Sequence, residues 1–329
     1  TAYTRLAALP DTKDAVLFAL NQIETKTTAS YNNLLKELAE QGRASQAQTV
    51  YDNVFRNKTV LADIDTYSQL MLAYINHGEY EEAMGIYYEL RDHEDTNKVK
   101  DFVLDAKMYA TMIRSLTHAK NMTAHLNRFD PTTEPVYAYS VEDDDRAILE
   151  NIEGDSQPAL LTALTLFNDM RRLEIQPSPE MYTSMLKACT EQKDSYVLEK
   201  LHKLMRMDLY LDPDVRVLNQ LMEAYSVIGD GPSALEIWDT IETSLFNSDS
   251  VSIVLKACLD YGYHTRANAI WNAVKLKQPE LRLSVDDFNN YLLCVIRSKD
   301  MEKAEKLVQE GLANGDADES SVNTLEQYK

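Results

Sequence analysis

The side chains in this sequence that could do chemistry do not gather into a reactive site. Six histidines, His77, His93, His118, His125, His202 and His264, are scattered, and none is paired at the i, i+4 spacing with which a helix offers two imidazoles to one metal. His118 and His125 are seven apart and could share a helix face, but no third ligand accompanies them. The run Asp143-Asp144-Asp145 lacks the alternating oxygen ligands of a calcium loop. Cys189, Cys258 and Cys294 are odd in number, widely spaced and each set in an apolar run, so they read as small core residues in a reducing compartment. Neither a glycine-rich phosphate loop nor a Ser or Cys nucleophile signature occurs. The expectation is a protein that is not an enzyme and carries no metal and no cofactor.

What remains as chemistry is charge. The 329 residues include 53 acidic and 33 basic side chains, for a net charge of −20. With 44% apolar residues and only 9 Gly and 9 Pro, the chain is neither collagen-like, nor low-complexity, nor a turn-dense β-sandwich; it is helix-rich. No apolar stretch approaches the roughly 20 residues that span a bilayer, so no membrane insertion is expected. A start at Thr1 and not at Met reads as a processed or trimmed form.

The elements that must position these charges repeat. An aromatic or apolar residue with apolar residues three and four positions on recurs at Tyr31, Tyr67, Tyr109, Tyr182, Leu218, Val251 and Phe288, at spacings of 36, 42, 73, 36, 33 and 37. About 16 residues after each comes a second phrase, as in Ala47-Val50-Tyr51-Val54, Ala83-Ile86-Tyr87-Leu90, Ala163-Leu166-Phe167-Met170, Ala234-Ile237-Trp238-Ile241 and Ala267-Ile270-Trp271-Val274. Weaker copies are Leu198-Leu201-Leu204 and Ala304-Leu307-Val308. Offsets of three, four and seven make one stripe of an α-helix, so each unit is two antiparallel helices that must stack on their neighbours to bury it. Gly42, Gly78 and Gly229 fall between the phrases, where a positive φ ends a helix, and Pro177 and Pro213 precede the next unit.

The 73-residue interval holds an insertion between the helices of the third unit. Residues 121–156 carry nine acidic and two basic side chains, and read either as a solvated acidic loop or as a docking element for a basic surface. The expected organisation is a capping-helix region at 1–30, repeats 1 and 2 with the first helix of repeat 3 at 31–120, the insertion at 121–156, the second helix of repeat 3 with repeats 4 to 7 at 157–309, and a frayed acidic tail at 310–329.

Phrases such as LFNDMRRLEIQPSPEMYTSML and MRMDLYLDPDVRVLNQLMEAY resemble the pentatricopeptide repeat, and the modal spacing of 36 suits that family. The resemblance implies an all-α, right-handed solenoid of about seven helix-turn-helix repeats, located in an organelle, here the mitochondrial matrix. It also implies single-stranded RNA as ligand, at about one base per repeat. In the family's scheme the base is read by the residue after the first-helix aromatic, together with the one four positions before the next aromatic. Those pairs are Asn32 with Asp63, Ser68 with Asp105, Ala110 with Ser178, Thr183 with Asp214, Asn219 with Asn247, and Ser252 with Ser284. Asn with Asp resembles a uracil reader and Thr with Asp a guanine reader. Ser, Thr, Asn and Asp are equally the ordinary N-cap residues of a helix start.

Two further positions of that scheme depart from it here. The family wedges bases between apolar side chains two residues before each aromatic, where this chain has Ala29, Asp65, Lys107, Glu180, Arg216, Asp249 and Asp286. A Lys late in the first helix meets phosphates in the family; here the positions hold Glu40, Asn76, His118, Glu191, Val227, Asp260 and Arg297. Charged wedges offer no stacking face, and an acidic row repels a polyanion. Basic residues look dispersed, the longest run being Arg171-Arg172. The preferred expectation is therefore a scaffold for a basic protein or peptide, such as a respiratory-complex assembly factor or a mitoribosome-associated protein. Its candidate contacts are Asp65, Glu180, Asp249 and Asp286 with Glu142, Asp143, Asp144 and Asp145. Single-stranded RNA is the alternative, read by Asn32, Asp63, Ser68, Asp105, Thr183, Asp214, Asn219 and Asn247.

Overall fold

The computed structural model describes residues 10–57, 59–92, 104–119, 156–212, 214–243 and 246–329. Among them every regular element is a helix, and the chain divides into two compact units, Thr1–Ala188 and Cys189–Lys329. The first unit holds α1 (Lys13–Asn21), α2 (Thr28–Glu40), α3 (Ala44–Val50, continued by a π-helical stretch Tyr51–Arg56), α4 (Ile64–His77), α5 (Tyr80–Asp92), α6 (Ala106–Thr117), α7 (Pro158–Arg172) and most of α8 (Pro179–Gln192). The second holds α9 (Ser195–Leu211), α10 (Val215–Ile228), α11 (Gly231–Glu242), α12 (Ser248–Tyr261), α13 (His264–Lys277), α14 (Val285–Arg297), α15 (Met301–Asn314) and α16 (Glu319–Gln327).

Even-numbered helices carry the first phrase of each repeat, and odd-numbered helices from α3 onward carry the second. Helix α2 packs on α4 and α4 on α6; in the second unit α10 packs on α12, α12 on α14 and α14 on α16. Helices α4, α10, α12 and α14 each also pack on the odd helix that follows, so within each unit the chain is a stack of helical hairpins, the all-α architecture expected. The periodic stripes are the core. Leu34, Leu35, Ala47 and Val50 have no exposed surface, nor do Ala234, Trp238 and Ile241. The small residue of each second phrase lets the neighbouring helix approach, and the aromatic beside it fills the space between layers.

The turns between paired helices explain the glycines. Gly42 ends α2 at φ 66°, and a Cβ there would lie 3.0 Å from the Asn76 carbonyl oxygen, so both the backbone and the close approach of the next repeat require glycine. In repeats 4 and 7 the same turn is made without glycine, by Lys193 at φ 52° and Lys299 at φ 66°.

Repeats 2 and 3 are joined by a buried polar cluster on their second helices. Asp169 on α7 is 3% exposed and accepts hydrogen bonds from the Tyr87 hydroxyl and from Arg91 Nη1, both on α5 and both at 2.8 Å. The Tyr87 and Tyr109 hydroxyls are 2.7 Å apart, and the Arg91 guanidinium lies 4.7 Å from the Tyr88 ring centroid. Burial, followed by the Asp169 charge, drives the Tyr87 phenol well above its usual range. A carboxylate this buried persists only with such partners.

One expectation is corrected. Residues 310–329 are not a frayed tail: they complete α15 and form α16, whose Ser321 and Leu325 are buried at 0% and 5% exposure. The acidic count concealed an eighth first helix, signalled by Val322, 34 residues beyond Phe288, with Leu325 three positions further on. Helix α1 packs on α3, with Val16 buried and the Gln46 amide donating to the Thr12 carbonyl at 2.9 Å. The insertion lies almost wholly outside the described residues, and Glu142, Asp143, Asp144 and Asp145 lie outside them entirely.

Candidate functional site

The even helices share one register. In every one the phrase-initial residue, Tyr31 through Val322, is the fourth residue of the helix, the wedge position is the second, and the residue four before the phrase is the N-cap. The caps are real. Asp63 accepts from Thr66 N–H at 2.9 Å, Asp105 from Met108 N–H at 2.9 Å, Asn247 from Ser250 N–H at 3.0 Å and Ser284 from Asp287 N–H at 3.1 Å. Asp214 caps α10 through Arg216 N–H at 2.9 Å. Each such cap stabilises its helix by about 1 kcal/mol.

Two of the six sequence-predicted pairs do more than cap. Asn32 Nδ2 donates to Asp63 Oδ1 at 2.9 Å, and the Thr66 hydroxyl donates to Asn32 Oδ1 at 2.7 Å. In the second unit Asn219 Nδ2 donates to Asn247 Oδ1 at 3.1 Å, and the Ser250 hydroxyl donates to Asn219 Oδ1 at 2.7 Å. An amide on one repeat is thereby locked to the capping box that opens the next. A third joint of the same kind is not among the sequence-predicted pairs. Asn289 Nδ2 donates to the Ser320 hydroxyl at 3.0 Å and Asn289 Oδ1 accepts from the Ser321 hydroxyl at 2.6 Å, with Asp318 as the cap of α16. Its signal is present in the chain: Asn follows the fourth helical residue in Tyr31-Asn32, Leu218-Asn219 and Phe288-Asn289 alike.

In two other pairs the first member bonds within its own helix. Ser68 is buried and its hydroxyl donates to its own helix at the Ile64 carbonyl, 2.8 Å away. The Thr183 hydroxyl donates to the Glu180 carbonyl at 3.0 Å. Ala110 has no polar group to offer.

Each joint keeps unsatisfied hydrogen-bonding capacity. Asn32, Asn219 and Asn289 each use one amide hydrogen, and among the described residues the other has no acceptor. Three bonds at the Asp63 carboxylate fall on Oδ1, and the Asp65 backbone N–H donates to the same carboxylate. Partial burial pushes the Asp63 carboxyl upward, but hydrogen bonds from the Thr66 backbone, the Asn32 amide and the Thr66 hydroxyl outweigh it and hold it below the usual carboxylate range. Asp318 is lowered too, first by the Ser320 hydroxyl.

Beside the joints runs the second-position row. Ala29, Asp65, Lys107 and Glu180 in the first unit, and Arg216, Asp249, Asp286 and Ser320 in the second, are all exposed. The row is mixed, with one cation and two anions in each unit. Lys107 Nζ lies 3.8 Å from Asp65 Oδ1 on the preceding first helix, and Arg216 pairs with Asp214 at 3.2 Å. Asp65 is therefore partly neutralised rather than a free anionic contact.

The opposite ends of the even helices are tied as well. Asn76 Nδ2 donates to the Ala39 carbonyl at 2.8 Å, Arg297 Nη1 to the Leu259 carbonyl at 3.4 Å, and the Tyr261 hydroxyl to the Ser226 carbonyl. These bonds satisfy last-turn carbonyls of the preceding first helix. They also engage Arg297, the one dependable cation at the position where the family places a phosphate-facing Lys. Among the described residues there is no cluster of three metal-ligating side chains, and no helix is long and apolar enough to cross a membrane.

Parts of the chain resemble known proteins. Residues 165–226 match the model of the pentatricopeptide repeat domain and residues 65–94 that of the single repeat. A pentatricopeptide repeat-containing protein of Arabidopsis thaliana is 26% identical over 208 residues, which is 62% of this chain and 22% of that protein. Crystal structures of the maize pentatricopeptide repeat protein PPR10 align over 94% of this chain. One is 16% identical with a TM-score of 0.34, and the complex with an 18-nucleotide RNA element is 15% identical with a TM-score of 0.35. The chain spans about a fifth of the length of the Arabidopsis protein and 57% and 44% of the two maize chains. The two matched repeat stretches, with the Arabidopsis relative, support the pentatricopeptide repeat family for this chain.

Proposed function

We propose that the chain binds single-stranded RNA, with the base edges meeting the asparagine joints at the N-terminal ends of the even helices, in a mitochondrion or chloroplast. The observation that carries this reading is the remaining polar capacity of the three joints, two of them held in one geometry by an amide bonded to the N-cap of the next first helix. An amide N–H beside a carboxylate oxygen, as at Asn32 and Asp63, complements a base edge that offers an acceptor next to an imino N–H, the edge of uracil or guanine. Two amides, as at Asn219 and Asn247, complement two adjacent acceptors, the edge of cytosine. Because each joint is already fixed by hydrogen bonds within the protein, little side-chain freedom is lost when a base docks.

This replaces the expectation of a basic protein as ligand. That expectation rested on an acidic row, and the row is mixed in sign, with Asp65 opposed by Lys107. The pentatricopeptide repeat matches support RNA as well. The second-position row lacks rings for stacking, so base edges supply most of the affinity, and few phosphates are neutralised.

Filter binding of pooled single-stranded RNA at two salt concentrations tests the reading. Retention with a dissociation constant in the range of about 1–10 μM and a log–log salt slope shallower than about −3 is expected. No retention of single strands at the lower salt, or equal retention of duplex RNA, would overturn it.

A further inference from the structure

Helix α9 is the 17-residue second helix of repeat 4, and it carries a basic face whose cations are not consecutive in sequence. Val197, Leu198, Leu201 and Met205 form its fully buried stripe. On the opposite side, at offsets of four and three, lie Tyr196, Lys200 and Lys203, with Lys193 in the preceding turn and Arg206 beside them. Lys193, Lys203 and Arg206 are exposed, and the Lys200 ammonium sits 5.5 Å from the Tyr196 ring centroid. Among the described residues none of these four cations has a carboxylate at ion-pair distance.

The contrast with α13 shows what such a face takes. Helix α13 has three cations in its core span and no acid, and all three are neutralised inside the molecule. Arg266 pairs with Asp239 at 2.6 Å and Lys277 with Glu242 at 3.1 Å, both on α11, while Lys275 pairs with Asp316 at 3.3 Å. The partner α11 presents Glu236, Asp239 and Glu242 at three-residue offsets and carries no cation. A basic odd helix in this chain is thus matched by an acidic helix. Within its own unit, helix α9 has no such match among the described residues.

We propose that the outward stripe of α9 docks an acidic helix of a protein partner, with carboxylates spaced three and four residues apart facing Lys200, Lys203 and Arg206. Glu199 and Asp208 on the same helix leave it a net charge of only +1, which disfavours the continuous phosphates of a nucleic acid but is compatible with carboxylates spaced along a helix. The surface is also separate from the asparagine joints, which lie on even helices, so this proposal stands or falls independently of RNA binding.

The test uses the whole chain and two probes, a synthetic amphipathic peptide with Glu at alternating three- and four-residue spacing, and an oligouridylate. The peptide is expected to bind and to form carbodiimide crosslinks to Lys200 and Lys203. The combined Lys200→Gln, Lys203→Gln and Arg206→Gln variant is expected to weaken peptide binding about tenfold, since three exposed pairs of a few tenths of a kcal/mol each are lost. The Lys13→Gln, Lys26→Gln variant, which removes two exposed cations elsewhere, is expected to leave it unchanged. The proposal is overturned if the peptide does not bind, if its crosslinks fall on other lysines, or if the α9 variant weakens oligouridylate binding rather than peptide binding. Crosslink mapping on the unaltered chain distinguishes these outcomes whatever the variant's folding.

Discussion

Asn32 and Asp63 lie thirty-one residues apart in sequence and 2.9 Å apart in space, and the oxygen that accepts the Asn32 amide also caps α4. One carboxylate thus starts a helix and fastens that helix to the preceding repeat. What such a residue presents to a ligand is set by the fold before any ligand arrives.

Exchanging Asp63 for Asn keeps the cap but turns an acceptor into a donor. Stability of Asp63→Asn at neutral pH is expected to stay within about 0.5 kcal/mol of the parent in urea unfolding, because Asn caps as well as Asp. Base preference at that joint is expected to move from uracil or guanine toward cytosine. Competition among short RNAs that differ at one base reads the change, and an unaltered preference would remove Asp63 from the reading edge.

The same carboxyl gives a pH signature. Its folded pKa lies below the unfolded value near 3.8, so its contribution to stability is complete above that value and is lost as pH falls through the folded pKa. Asp214 behaves alike: burial raises it, but hydrogen bonds from the Arg216 side chain and backbone lower it further. Unfolding midpoints measured from pH 5 to pH 2 should fall for the parent chain and fall less steeply for Asp63→Asn. Identical slopes would mean the carboxyl is not held by the joint.

Removing the buried carboxylate at Asp169 leaves Arg91 and Tyr87 without their shared acceptor. Asp169→Ala is expected to destabilise the first unit by about 3 kcal/mol, the usual scale for breaking a buried pair by deleting one partner. Thermal or urea unfolding checks this, and a loss under about 1 kcal/mol would show the cluster to be solvated rather than buried.

Lys299 occupies a left-handed turn position at φ 66° that glycine fills in other repeats. Lys299→Gly is expected to stabilise the second unit, by up to about 1 kcal/mol, since the strain relieved exceeds the added entropy of the unfolded chain. Equilibrium denaturation would show the gain, and a loss of stability would mean that the turn is not strained.

Much of the fold is legible in the sequence. The helical hairpins follow from apolar offsets of three, four and seven, and the turn at Gly42 from the residue type alone. The caps at Asp63, Asp105, Asp214 and Asn247 can be foreseen from their place before a periodic run. The pairing of Asn32 with Asp63 and of Asn219 with Asn247 comes from the family resemblance. The hydrogen bonds that lock each pair, and the joint at Asn289, cannot be foreseen, because they form between residues about a full repeat apart and no local pattern marks them. Only the recurrence of Asn after Tyr31, Leu218 and Phe288 hints at them. Charge misleads twice. The count of acids makes residues 310–329 look frayed, whereas Ser321 and Leu325 bury and α16 forms. Adjacency in sequence singles out Arg171-Arg172, whose guanidinium groups lie near Tyr182 and Asp169, and hides the helically spaced Lys200 and Lys203.

The most direct measurement of the joints is the RNA affinity of a chain with Asn32→Ala, Asn219→Ala and Asn289→Ala together, read by fluorescence anisotropy beside a thermal melt of the same preparation. Base reading at the joints predicts a loss of at least about thirtyfold, roughly 2 kcal/mol from three missing polar contacts. A folded variant that binds single-stranded RNA as tightly as the parent chain would contradict it.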